Sequence, residues 1–424
     1  MRERFRRLFS VRWGLPLLGL TAAGIALAVW YFRPDPRQAA AEEALQRRDY
    51  AGAYTLLQGC LQRRPDDARL QFLAGRTARR AGLYEEAAKH LRACQRIQGE
   101  TPALTLEHAL MRGQRGERQV EPYLQSRVAA GDPDTLLIWE VLIQMYLDDY
   151  RLFEARDCLD RYLERRPDDV VALLGRGHIW ELLQHYPEAV RDYQRAVRAE
   201  PENDRARLRL AGALQITGPP QEAAEQFEWL RSHRPDDPVV RLGLARAWRQ
   251  LGRLDEARQL LDDLLSDDAR HVGALTERGR LALEEREPQR AAVWLRRAVE
   301  LAPHNREALY NLSRCLQLTG PDAEARDCQT RFERADADLK SLAQLTKEVL
   351  RSPRDTTLRC KVGVILLNNG EEQEGVRWLQ RVLREAPSYR PAHQALADYY
   401  QRSGNSERAT DHRRMAEGAP PDSP

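Results

Sequence analysis

Residues 170–203 read VVALLGRGHIWELLQHYPEAVRDYQRAVRAEPEN, and their pattern recurs along the chain with a period of 34 residues. Counted from the first residue of this stretch, the eighth place holds Gly177, the twentieth Ala189 and the thirty-second Pro201. Apolar residues between these landmarks recur at helical spacing, which is typical of two amphipathic helices that pack on each other. The stretch therefore predicts a helical hairpin, and its recurrence predicts an array of hairpins.

The other copies keep the same landmarks. A proline cannot continue a helix and so separates one hairpin from the next; the thirty-second place holds Pro65, Pro133, Pro167, Pro201, Pro235 and Pro303. A small residue is expected wherever the two helices cross, and the twentieth place holds Ala53, Ala87, Ala155, Ala189, Ala223, Ala257, Ala291, Ala325, Gly375 and Ala409. Glycines recur in the turn between the helices, at Gly82, Gly116, Gly218, Gly252, Gly320, Gly370 and Gly404.

The period and these residue types resemble the tetratricopeptide repeat, a helix–turn–helix unit. The resemblance covers eleven copies between Pro34 and Pro421, of which residues 102–135 are the weakest because Glu121 stands where a small residue is expected. It implies an all-α fold, a right-handed α-solenoid whose first helices line the concave side. Members of this family hold peptide segments or partner helices in that groove.

A charge-free stretch precedes the repeats. Residues 13–32 contain no charged side chain and are long enough, as a helix, to span a bilayer. Five arginines precede this stretch, so the positive-inside rule predicts a cytoplasmic N-terminus and a repeat domain on the other side, the periplasm if the source is bacterial. Cleavage as a signal peptide at Ala26-Leu27-Ala28 stays open as the alternative.

An insertion interrupts the array, because residues 323–350 read as one long polar-faced helix that Pro353 ends. The predicted organisation is a basic cytoplasmic segment at 1–12, a transmembrane signal anchor at 13–32, about nine repeats at 34–339, a helical insertion at 340–355, two further repeats with a polar cap at 356–417 and a disordered tail at 418–424.

The sequence shows none of the motifs that carry catalysis. It has no glycine-rich phosphate loop, no H-E-x-x-H and no G-x-S-x-G, and its six cysteines form no C-x-x-C pair. We therefore expect no enzyme activity, no catalytic, cofactor or metal site, and no small-molecule substrate. A net charge of +3 indicates no nucleic-acid partner. Whether Cys315 and Cys328 pair stays open.

The function is then expected in the groove. The ninth place of three successive copies holds Arg246, Arg280 and Arg314, and Arg249 lies one helical turn beyond the first. Stacked repeats align such side chains, so these four arginines predict a basic stripe that binds an acidic segment of a partner protein. The family's known carboxylate clamp uses Lys and Asn, and Leu242, Arg246, Thr276 and Arg280 occupy those places here.

The leading hypothesis is a membrane-anchored scaffold that binds partner proteins or peptides and helps to assemble an envelope complex. The alternatives are an adaptor that faces the cytoplasm, and a non-catalytic subunit or an enzyme whose site the sequence does not reveal. The identity of the partner, the pathway and the oligomeric state do not follow from the sequence.

Overall fold

The computed structural model describes residues 36–319 and 322–418. In this part of the chain the regular structure is entirely helical, which agrees with the predicted all-α class. The chain divides into two compact units, Met1–Pro133 and Asp134–Pro424. The predicted membrane helix at 13–32 lies outside the described residues, as does the tail beyond Gly418. Within the described ranges, no helix combines the length and the apolar character needed to cross a bilayer.

Unit 1 contains three helical hairpins in its described part. Its helices are α1 (Pro36–Gln46), α2 (Tyr50–Leu61), α3 (Ala68–Arg80), α4 (Tyr84–Gln98), α5 (Pro102–Gln114), a 3-10 turn (Arg118–Val120) and α6 (Glu121–Ala129). The third hairpin departs from the others, because Glu121 begins a short helix instead of packing at a helix crossing.

Unit 2 contains eight hairpins in its described residues, 134–319 and 322–418. Its helices are α7 (Thr135–Asp148), α8 (Leu152–Arg165), α9 (Val170–Leu182), α10 (Tyr186–Ala199), α11 (Asp204–Thr217), α12 (Pro220–His233), α13 (Pro238–Gln250), α14 (Leu254–Asp267), α15 (Val272–Glu284), α16 (Pro288–Leu301), α17 (Arg306–Thr319), α18 (Asp322–Arg351), α19 (Thr356–Asn368), α20 (Glu372–Glu385), α21 (Arg390–Arg402) and α22 (Ser406–Glu417).

Two elements of unit 2 differ in length or polarity from the regular hairpins. Helix α18 is continuous for 30 residues, so the insertion extends the second helix of a repeat rather than forming a separate element. The last helix, α22, buries Ala409 and exposes Arg413, where the earlier copies carry an apolar residue. Such a polar outer face suits the end of a repeat array, because no further repeat covers it.

The first helix of most hairpins is capped by the residue two places after the repeat proline. Asp169 Oδ1, for example, accepts a hydrogen bond from the Ala172 backbone N–H at 3.0 Å. The residues that cap the first helix from the same place in other repeats are Asp67, Thr101, Asn203, Asp237, His271 and Asn305. A side-chain acceptor at this place satisfies backbone donors that the first turn leaves free.

The small residue at the eighth place makes room for a large side chain at the twenty-fourth place of the same hairpin. A Cβ atom added to Gly177 would lie 2.4 Å from the Tyr193 ring, and one added to Gly279 would lie 2.5 Å from Leu295 Cγ. Tyr193 and Leu295 are both fully buried. The two helices of a repeat therefore approach closely because one of them lacks a side chain at the crossing.

The fifteenth place of the repeat, in the turn between its helices, requires a left-handed backbone. Gly82, Gly252 and Gly370 have φ near +80° there, which glycine adopts without a Cβ clash. Four copies adopt the same conformation with other residues, namely Arg48, Tyr150, Gln184 and Arg286, whose φ values are 60°, 58°, 61° and 62°. A left-handed non-glycine residue costs about 1–2 kcal/mol, so these copies carry strain in their turns.

Gly177→Ala is expected to destabilise unit 2 by about 1–3 kcal/mol, because the new methyl group overlaps the buried ring of Tyr193. Gly212→Ala is the matched control, since its Cβ would meet no atom within 4 Å. A helical Gly→Ala exchange in open space should stabilise by about 0.5–1 kcal/mol. Urea denaturation checks both values, and equal shifts for the two variants would contradict the packing described here.

Candidate functional site

The first helices of successive repeats in unit 2 form one continuous face, and side chains join them across it. Arg246 Nε of α13 donates to Glu277 Oε1 of α15 at 2.8 Å, and Arg249 Nε donates to Glu277 Oε2 at 3.2 Å. Arg249 Nη1 also donates to Glu284 Oε1 at 2.6 Å. We call this face, formed by α7, α9, α11, α13, α15 and α17, the groove face.

The same arrangement occurs in unit 1. Arg76 and Arg79 of α3 donate to the two carboxylate oxygens of Glu107 in α5, at 2.5 and 2.7 Å. Arg79 Nη1 also donates to the side chain of Gln114 at 2.9 Å. Arginines at the ninth and twelfth places of one repeat thus grip a buried glutamate at the sixth place of the next repeat.

The structure shows that most of the predicted basic stripe is already neutralised by carboxylates of the same chain. Arg249 was expected on the open concave surface, but it is buried, with a relative exposure of 9%, because Glu277 and Glu284 draw it between α13 and α15. Arg246 and Arg280 are only partly exposed and are paired with Glu277 and Glu307. Three of the four arginines therefore already have carboxylate partners within the chain.

Arg314 is the exception. It is exposed and makes no ion pair to any residue in the described ranges, and its guanidinium lies 5.7 Å from the centre of the Tyr310 ring. Tyr310 is 43% exposed and packs against Phe332, with ring centroids 5.2 Å apart. Arg314 thus presents an exposed positive charge next to an exposed aromatic ring.

These residues line a cavity of about 570 Å³ on the groove face. Its walls come from α15, α17 and α18, and they combine Leu283, Tyr310 and Phe332 with Asn311 and the charged residues Arg280, Glu284, Arg306, Glu307 and Arg314. Arg306 is held by Asp336 of α18 at 2.7 Å. The structure therefore brings Arg280 and Arg314 together in one cavity. It places Arg246 and Arg249 elsewhere, in the contact between α13 and α15.

Sequence reasoning missed the acidic partners that neutralise this stripe. Glu277 occupies the sixth place, which faces the neighbouring repeat, and its side chain is only 2% exposed. A search for carboxylates one repeat along the chain, 31 residues from Arg246 and 28 from Arg249, would have found it. The same spacing between Arg76, Arg79 and Glu107 in unit 1 would have supported this assignment.

The cysteines and two of the histidines are the other reactive side chains of the described residues. All six cysteines are free thiols, so Cys315 and Cys328 do not pair in this structure. Burial raises the pKa of Cys315 to about 11, which keeps the thiol protonated and unreactive at neutral pH. His393 and His412 lie with their Nδ1 atoms 2.9 Å apart near the C-terminal end, and burial lowers the pKa of His412. Among the described residues, no cluster of three metal-ligating side chains exists.

Glu277→Gln is expected to destabilise unit 2 by about 3 kcal/mol or more, because it leaves Arg249 buried without its compensating charge. Glu307→Gln is the matched control, since the Arg280–Glu307 pair is about 40% exposed on both sides and such pairs contribute about 1 kcal/mol or less. The midpoints of urea denaturation measure both effects. If both variants unfold at the same urea concentration, Glu277 does not join these repeats as described.

Comparisons with known proteins agree with this architecture. A family model described as "Tetratricopeptide repeat" matches residues 39–100 and 183–218, and a second with the same description matches residues 216–278. Among curated proteins, the chain is similar to DnaJ protein P58IPK homolog A of Oryza sativa subsp. japonica, with 27% identity over 176 residues, which make up 37% of each chain.

The chain is also similar to human Protein O-mannosyl-transferase TMTC3, with 20% identity over 296 residues, or 65% of this chain and 32% of that protein. The matches thus span about a third of the length of these curated relatives. A solved structure described as "YrrB: a TPR protein with an unusual peptide-binding site" aligns with 44% of this chain and 95% of its own, at 20% identity and a TM-score of 0.38.

The matched repeats and the 34-residue lattice of small residues, turns and prolines lead to the same family. The helices of the described residues form hairpins on that lattice. Residues 39–100 and 183–278 of this chain are tetratricopeptide repeats.

Proposed function

We propose that this protein is a scaffold that binds a segment of a partner protein on the groove face of unit 2. The observation that carries the proposal is the cavity of about 570 Å³ in which Arg314, with no carboxylate partner among the described residues, lies beside the exposed ring of Tyr310. Tetratricopeptide repeat proteins bind protein or peptide partners, and this cavity offers both an apolar and a charged contact to one.

The partner segment carries an acidic residue next to an apolar one. Its carboxylate pairs with Arg314, and its apolar side chain packs on Tyr310 and Leu283, which line the same cavity. Arg246 and Arg249 contribute little to this recognition because Glu277 and Glu284 already neutralise them. Arg280 contributes when an incoming carboxylate displaces Glu307, which is itself partly exposed.

The proposal includes a membrane anchor at residues 13–32 and a repeat domain on the non-cytoplasmic side, where it organises an envelope complex. The uncharged run at 13–32 and the five arginines before it support this topology. An adaptor facing the cytoplasm is the competing arrangement.

The protein acts in this proposal by binding and not by catalysis. The name of the human relative describes a transferase, which makes an enzyme the competing class of function. The groove face supports binding, because it combines exposed aromatic and charged side chains in one cavity.

Arg314→Ser is expected to weaken binding of acidic peptides by about tenfold or more, since a charge-assisted hydrogen bond contributes about 1.5–3 kcal/mol. The peptides come from a displayed random library selected on the full chain in detergent, and their affinity is measured by fluorescence anisotropy. Arg297→Ser is the control, because Arg297 is an exposed arginine on the second helix of the preceding repeat. Selected peptides without acidic residues, or equal affinities of both variants, would refute the proposed recognition.

A reporter enzyme fused after Pro424 is expected to be active only outside the cytoplasm, because the arginines before residue 13 keep the N-terminus inside. Alkaline phosphatase, which needs an oxidising compartment, and a cytoplasmic fluorescent protein form a matched pair of reporters. Activity of the cytoplasmic reporter alone would establish the opposite topology.

A further inference from the structure

The turn between α7 and α8 contains a residue whose strain has no local explanation. Tyr150 occupies the fifteenth place with φ of 58°, where most copies have glycine. Gln184 and Arg286 adopt the same conformation at the same place, and both are exposed. Tyr150 is only 8% exposed, although it lies in a turn at the end of a hairpin. Residues outside its own repeat must therefore bury the Tyr150 side chain.

That cover comes from α20, in the tenth repeat. The ring of Tyr150 packs on the ring of Trp378, with centroids 4.7 Å apart and an angle of 57° between the planes. Trp378 is 4% exposed. Burial, together with the negative charge of Glu374 on α20, raises the pKa of Tyr150 to about 12. The fourth and tenth repeats are therefore in direct contact, although five repeats separate them along the chain.

The contact is narrow and its surroundings are loosely packed. A cavity of about 610 Å³ lies beside it, lined by Asp148, Arg377, Gln380, Arg381, Leu383 and Arg384. Asp148 and Arg381 line this cavity together, but no ion pair within 4 Å joins them in the described part of the chain. Burial lowers the pKa of Arg381, and the negative charges of Asp148 and Glu374 partly offset that effect.

We propose that Tyr150 and Trp378 form a clasp that closes repeats four to ten of unit 2 into a ring, and that this clasp opens reversibly to admit a partner segment to the groove face. The first helices touch one another from repeat to repeat, as in the Arg246–Glu277 pair, so they lie on the inside of the curve that the clasp closes. A single aromatic pair next to an open pocket holds the closed state only weakly, so the open state stays populated. The gating role rests on the function proposed above, whereas the clasp itself does not.

The chain offers a variant that removes the clasp without straining the turn. Tyr150→Gly deletes the aromatic ring and at the same time relieves the left-handed backbone, so the local hairpin should be retained. Gln184→Gly is the matched control, because it makes the same backbone change at the same place of the next repeat, where the side chain is exposed.

Hydrogen exchange of the full chain in detergent, read by mass spectrometry, measures the clasp directly. Tyr150→Gly should accelerate exchange in α20 (372–385) by between about twofold and tenfold, because the loss of one aromatic pair changes the opening equilibrium by about that factor. Gln184→Gly should leave the exchange rate of α20 unchanged. Equal exchange in α20 for both variants would overturn the clasp.

A second measurement keeps the test decisive if Tyr150→Gly does not fold. A photoreactive benzophenone amino acid at position 150 of an otherwise unchanged chain should crosslink within the same molecule to residues 372–385. Crosslinks confined to α7 and α8 would overturn the proposal.

The gating role has its own readout. The association rate of the acidic peptides selected above should increase in Tyr150→Gly and stay constant in Gln184→Gly, since the binding-competent open state becomes more populated. If exchange in α20 accelerates but the association rate of the peptides does not change, the clasp exists but does not control access to the groove face. If no acidic peptide binds the parent chain, the proposed function fails while the exchange and crosslinking results still decide the clasp.

Discussion

The structure depends on one constraint: in most hairpins the two helices cross at a point where one of them has only a small residue or glycine. At Gly177 the Tyr193 ring occupies the volume that a Cβ would take, and Gly75, Gly279 and Gly363 make the same room for Leu91, Leu295 and Leu379. Close packing of this kind buries a large side chain in each of these four repeats and sets the distance between its helices. Because these hairpins bury their faces in the same way, one such repeat can stack on the next.

Stacking uses charge as well as apolar burial. In both units, two arginines of one repeat grip a glutamate of the next, and the glutamates Glu107 and Glu277 are almost fully buried. Removing a charge from water is costly unless its partners are close and correctly oriented, so these networks favour one arrangement of neighbouring repeats. The arginines of the groove face therefore differ in their surroundings, because Arg249 joins two repeats whereas Arg314 is exposed.

Unit 2 also departs from the usual behaviour of repeat arrays. In a linear solenoid each repeat contacts its neighbours only, so stability is a sum of local terms. The Tyr150–Trp378 contact joins the fourth repeat to the tenth, and it does so from a turn position where other copies have glycine. A residue that is unfavourable for the local backbone is thus retained where its side chain makes a distant contact.

The sequence by itself determined the all-α class, the family and the hairpin lattice, because these depend on residue spacing within a repeat. The small residues at Gly177 and Ala189, the prolines such as Pro201 and the turn glycines act over a few residues, and the pattern shows them directly. Only the tertiary structure decided which arginines are open, since the burial of Arg249 depends on Glu277 in another repeat. The same holds for Tyr150 and Trp378, because their contact depends on how repeats four to ten stack on one another, which the spacing within one repeat does not determine.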